Sequence, residues 1–132
     1  MHLFADSQSA VAIAFVVLRV AVATSFLVHG VQKWAMWKRQ PSEQLPAPML
    51  SILRFLSIVE PLGGLALISG FLTQWAAAGF IIIMLGAIQL KSLKLHKKFT
   101  GDGGWELDYL LLAVALSLVL LGGGRLALDS LL

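Results

Sequence analysis

Two ionisable residues, Arg19 and Glu60, stand inside long apolar runs where a membrane protein has little reason to place them. A charge at the centre of a bilayer costs at least about 2.5–3.5 kcal/mol, so such residues face the interior of a helix bundle and pair. Arg19 lies ten residues before His29, which is near the end of the first run, and Glu60 lies ten residues after Leu50, where the second begins. At about 1.5 Å per residue each is roughly 15 Å deep, so equal depth on antiparallel neighbours predicts a buried Arg19–Glu60 ion pair. Its minimal role is to set helix register. Pro61 follows directly; it removes a backbone donor, strands the Ser57 carbonyl and predicts a kink. Gly63 and Gly64 then leave room for close helix approach or for a ligand, and packing by small residues is the simpler use.

A second group of polar residues collects near the ends of the runs. His29 and Lys33 close the first, Gln89 and His96 lie near the end of the third, and Trp105, Glu106, Asp108 and Tyr109 open the fourth. Arg19, Phe26, His29 and Lys33 share one helical face, and so do Glu106, Tyr109, Ala113 and Ser117. These faces are expected to converge, making His29, Lys33, Gln89, His96, Glu106 and Tyr109 candidate ligand-binding residues. Each has a simpler reading. Carboxylates suit a helix N-terminus, tryptophans 34, 37, 75 and 105 suit the membrane interface, and a histidine at a membrane edge is commonly just solvated. No nucleophile elbow, phosphate-binding loop or metal motif is present, so no catalytic residue and no metal site is assigned. The absence of cysteine excludes dithiol chemistry, iron–sulfur clusters and thiolate metal sites, and is silent on compartment.

The elements that must position these residues are helices. Of the 132 residues, 58% are apolar and 13% charged, about half the charge a soluble domain carries, and mean hydropathy is +0.86. Four apolar stretches, about 10–31, 50–71, 75–94 and 105–122, approach the roughly 20 residues needed to cross a bilayer. None alternates with period two. The expected fold is all-α: a single transmembrane domain over 1–132, an up-and-down four-helix bundle integral to the membrane. The first stretch reads as a span rather than a signal peptide, because it lacks a basic leader and contains Arg19. Residues 31–49, with Pro41, Pro46 and Pro48, read as a loop that has room for a short interfacial helix. The net charge of +3 reflects topology rather than nucleic-acid binding. The loops after spans one and three hold seven Lys and Arg residues against Arg125 on the other side, which places those loops in the cytoplasm and both termini outside it.

The same polar residues recur in an order that carries a resemblance. Arg19 is followed by His29-Gly30-Val31-Gln32-Lys33; Glu60 by Gly63-Gly64 and Leu72-Thr73-Gln74; Gly103-Gly104-Trp105-Glu106 opens the last helix; Gly122-Gly123-Gly124-Arg125 runs into Leu128-Asp129. With these motifs the chain resembles the DoxX family of small four-helix membrane proteins along nearly its whole length. It departs at Gly123, where the pattern has a proline among the glycines, and at Ala127, where it has serine. The family is named for a subunit of a quinone-linked thiosulfate oxidoreductase, and other members resemble membrane partners in redox or stress-related assemblies. The resemblance implies a subunit or accessory of a quinone-linked oxidoreductase system, enzymatic only in that sense, in a bacterial inner membrane. Without cysteine, electrons would pass through a bound quinone or a redox protein partner; a homo-oligomer is compatible. The alternative reading is a binding or transport module for a small lipophilic or anionic solute, built around the buried charges and the Pro61 kink. A third is a scaffold that docks a soluble partner on Lys91, Lys94, Lys97 and Lys98.

Overall fold

The computed structural model describes residues 7–132. Four helices run up and down: α1 (Ser7–Gln32), α2 (Ala47–Ser69), α3 (Thr73–Gln89) and α4 (Glu106–Leu121). Two of them continue in another helical form. A 3-10 segment, Lys33–Lys38, extends α1, and a π-helical turn, Leu90–Lys94, extends α3. A short 3-10 turn, Leu128–Leu131, ends the chain. The loop expected after the first span is therefore largely helical, and Pro46 and Pro48 start α2, where a missing N–H costs nothing. The end that carries both described termini is here the terminal end; the other is the basic end.

The helices are apolar all round, and this decides their solvent. Leu62, Ile82 and Leu120 are 61%, 73% and 73% exposed, on a surface too apolar for water but suited to lipid. Ser7–Lys38, Ala47–Ser69 and Thr73–Lys94 are long and apolar enough to cross a membrane. At 16 residues α4 reaches only about 24 Å, and the chain after Gly122 turns back across the terminal end instead of lengthening it.

The core follows helical spacing. Val22, Ala23 and Phe26 meet Leu67, then Ala77, Phe80 and Met84, then Leu111, Ala115 and Leu118. The rings of Phe26 and Phe80 stack with centroids 3.6 Å apart. The space beside Gly63 and Gly64 is filled by protein: a Cβ on Gly63 would stand 2.6 Å from the Phe80 ring, and one on Gly64 would stand 2.9 Å from Leu27. Helix α2 runs unbroken through Pro61, whose ring occupies the place a side chain on Gly30 would take.

Gly30→Ala should therefore lower stability by about 1–3 kcal/mol, the usual cost of overpacking. Gly79→Ala, where a Cβ meets nothing within 4 Å, should be neutral or stabilising by up to about 1 kcal/mol through helix propensity. Thermal unfolding in detergent compares the two, and equal effects would contradict a tight Gly30–Pro61 contact.

Candidate functional site

At the basic end of the α1–α2 interface the Glu60 carboxylate is buried, 2% exposed, and accepts a 2.7 Å hydrogen bond from Lys33 Nζ. Lys33 also donates to the His29 carbonyl at 3.3 Å. It is the first residue of the 3-10 extension, one turn beyond His29, so its side chain reaches back along the helix to the carboxylate. A carboxylate this buried requires such a partner, and losing one member of a buried pair typically costs about 3–5 kcal/mol.

The expected Arg19–Glu60 pair does not form. Arg19 points to the terminal end, where it donates to the carbonyls of Leu67 (3.2 Å), Ile68 (3.4 Å) and Leu126 (3.0 Å). The depth count failed because it placed the end of the first helix close to His29. With α1 prolonged to Lys38, Gly30 packs on Pro61 and Ala23 on Gly64, a register about ten residues away from the expected one.

Pro61 builds the rest of the site. The Ser57 carbonyl it strands accepts the Trp34 indole N–H at 2.9 Å. The Trp37 indole donates to Ser57 Oγ at 2.9 Å, and that hydroxyl donates to the Arg54 carbonyl at 2.6 Å. Arg54 answers with bonds to the Met36 and Arg39 carbonyls, 3.1 and 2.8 Å, and its guanidinium lies 5.6 Å from the Trp37 ring centroid. Trp34 and Trp37 are thus interfacial rings, more than half exposed, whose N–H groups pin the 3-10 segment to α2.

Of the candidate ligand-binding residues, only Lys33 bonds Glu60, and His29, one turn before it on α1, offers Lys33 its backbone carbonyl. His29 is half-buried, while Gln89, His96, Glu106 and Tyr109 are exposed and do not converge on it. Tyr109 packs edge-on against Phe99, as does Trp105. The polar residues of the second hairpin make their own pair: Lys91, in the π-helical turn, donates to Asp108 at 2.6 Å and approaches the Gly104 carbonyl at 3.4 Å.

The terminal end closes around Asp129. Its carboxylate accepts the Leu72 and Thr73 N–H groups at 2.7 and 2.8 Å, capping α3, and its own N–H donates to the Gly70 carbonyl at 2.9 Å. Burial alone would raise the Asp129 pKa. The Thr73 and Leu72 N–H groups, the neighbouring Thr73 hydroxyl and the Arg19 charge outweigh that and hold it below the usual carboxylate value, although the hydroxyl falls short of full hydrogen-bond geometry. Gly70 is left-handed, with φ 71°, and any side chain there would meet Arg19 and Ala127. Nothing in the spacing of the sequence pointed to Arg54. The stranded carbonyl was the one available sign that a donor had to arrive at Ser57.

Residues 14–97, which include Arg19, His29, Lys33, Ser57 and Glu60, match the DoxX family. The chain belongs to the DoxX family. This DoxX protein is also 32% identical over 121 residues to the Bacillus subtilis (strain 168) protein named "Putative oxidoreductase CatD", covering 89% of this chain and 85% of that one. No solved structure matches it.

Trp34→Phe in this DoxX chain should cost about 1–3 kcal/mol by leaving the Ser57 carbonyl unpaired. The cost should shrink in a Pro61→Ala background, which returns a backbone N–H to position 61. A double-mutant cycle on detergent unfolding measures the coupling, and strict additivity would refute the link. Because the Asp129 pKa is lowered by folding, its stabilisation is present above the unfolded value of about 3.9 and is lost as pH falls through the folded one. Asp129→Asn should lower Tm at neutral pH, with the gap to wild type closing in acid. A gap that persists in acid would assign the effect to shape rather than charge.

Proposed function

We propose that this DoxX protein is a membrane subunit or accessory of a quinone-linked oxidoreductase system. Family membership and the name of the Bacillus relative support an oxidoreductase context. The observation that carries the reading is the buried Glu60–Lys33 pair with His29 one turn away. Lys33 Nζ has three hydrogens; Glu60 and the His29 carbonyl take two. The third, and a His29 ring without a hydrogen bond among the described residues, remain for a ligand acceptor. That donor set, between an apolar helix pair and the lipid, fits the carbonyl headgroup of a quinone. A quinone would supply the electron-carrying couple. Glu60, Lys33 and His29 would bind and orient its headgroup and hold a proton at Oε2, Nζ or an imidazole nitrogen.

Solute transport has less support. Phe80 and Leu27 fill the space beside Gly63 and Gly64, and both terminal nitrogens of Arg19 are held by carbonyls. The scaffold reading loses Lys91 to Asp108 and keeps the exposed Lys94, Lys97 and Lys98. The proposed setting is a bacterial inner membrane, with the basic end in the cytoplasm by the positive-inside rule and a redox protein as partner.

The protein extracted in mild detergent should retain a quinone or an oxidoreductase partner, identified by mass spectrometry. Glu60→Gln and His29→Ala should insert normally yet lower quinone-coupled activity by roughly a hundredfold, the scale of acid–base roles. Undiminished activity in both variants would sink the quinone role.

A further inference from the structure

The basic end carries a second polar feature that does not involve Glu60. Arg54 has five N–H groups. Two are committed to the Met36 and Arg39 carbonyls, and the guanidinium is steadied beside the Trp37 ring, so three N–H groups stay open on a side chain that is already held in place. Lys38 and Arg39 are exposed on the adjoining segment. Among the described residues none of these three cations forms an ion pair, since the two salt bridges present use Lys33 and Lys91.

From Arg54 a single face of α2 descends through Ile58, Leu62 and Leu65 at helical spacing, and these three are 49%, 61% and 56% exposed. The distance from Arg54 to Leu65 is about 16 Å, close to the roughly 15 Å depth of one hydrocarbon leaflet. Trp37, with its indole N–H fixed to Ser57, marks the level where headgroup meets chain.

The geometry points to a binding site for one anionic phospholipid, with its phosphate on Arg54, Lys38 and Arg39 and an acyl chain along Ile58, Leu62 and Leu65. Three open cations without a carboxylate partner demand a negative headgroup, and the apolar stripe below them demands a chain attached to it. A fixed guanidinium fork binds phosphate oxygens with little further ordering cost. The site is independent of any quinone.

Native mass spectrometry of the detergent-solubilised protein tests this with phosphatidylglycerol and phosphatidylcholine of matched chains, and with inorganic phosphate. One phosphatidylglycerol should be retained in preference to phosphatidylcholine. The preference should fall roughly fivefold for each cation removed in Lys38→Gln, Arg39→Gln and Arg54→Gln. Among the described residues Lys38 and Arg39 make no side-chain bonds that fold the segment, so their variants carry the test even if Arg54→Gln loosens it; unchanged Tm confirms folding. Equal retention of the two lipids, or a preference untouched by the Lys38 and Arg39 changes, would overturn the site. Displacement by inorganic phosphate at the same concentration as the lipid would overturn the acyl stripe.

Discussion

The contact between Pro61 and Gly30 sets how α1 lies on α2, and most of the chemistry described above follows from it. A ring against a bare Cα brings the two backbones close and leaves one register. In that register Lys33 reaches Glu60, Trp34 reaches the Ser57 carbonyl, and Arg19 arrives eleven residues earlier on α1 at the last turn of α2. In hydrocarbon no water replaces a lost partner, so a slip would cost all three interactions together. Proline here removes a hydrogen bond from its own helix and thereby creates an acceptor for the neighbouring segment.

The architecture was legible in the sequence because it rests on local signals. Apolar runs of membrane length, glycine stops and clustered lysines place the spans within a few residues of those observed. The polar contacts were less legible, because they depend on where helices end. Residues 33–38 carry two tryptophans and precede a proline-rich stretch, which reads as loop; only packing on α2 keeps them helical, and their length moves every depth estimate. The residues Gln89, His96, Glu106 and Tyr109 belong to the second hairpin; helical phase turns Gln89, Glu106 and Tyr109 outward, and His96 lies exposed beyond the π turn. Asp129 was beyond reach for a different reason: its partners, Leu72 and Thr73, are more than fifty residues away in sequence.

The two hairpins also repeat a device. In each, the first helix leaves α geometry at the basic end, as 3-10 turns in one and a π turn in the other, and there a lysine meets a buried carboxylate on the next helix. Each lysine follows a buried residue of its own helix by seven positions, Phe26 before Lys33 and Met84 before Lys91, so helical phase already turns it toward the interface. Each lysine keeps one N–H open, but only in the first pair does the lysine also bond the carbonyl of a histidine one turn away, which is why the proposed chemistry belongs there.

The closure of the terminal end also has an order in time. Arg19 is emitted from the ribosome long before one of its acceptors, the Leu126 carbonyl, which lies 107 residues further on. At about 5–20 residues per second, that delay is roughly 5–20 s, during which the guanidinium is served by the end of α2 alone once that helix exists. The bundle is therefore sealed last at the side where the chain began, and truncated products lacking the final residues emerge with a buried cation short of a partner.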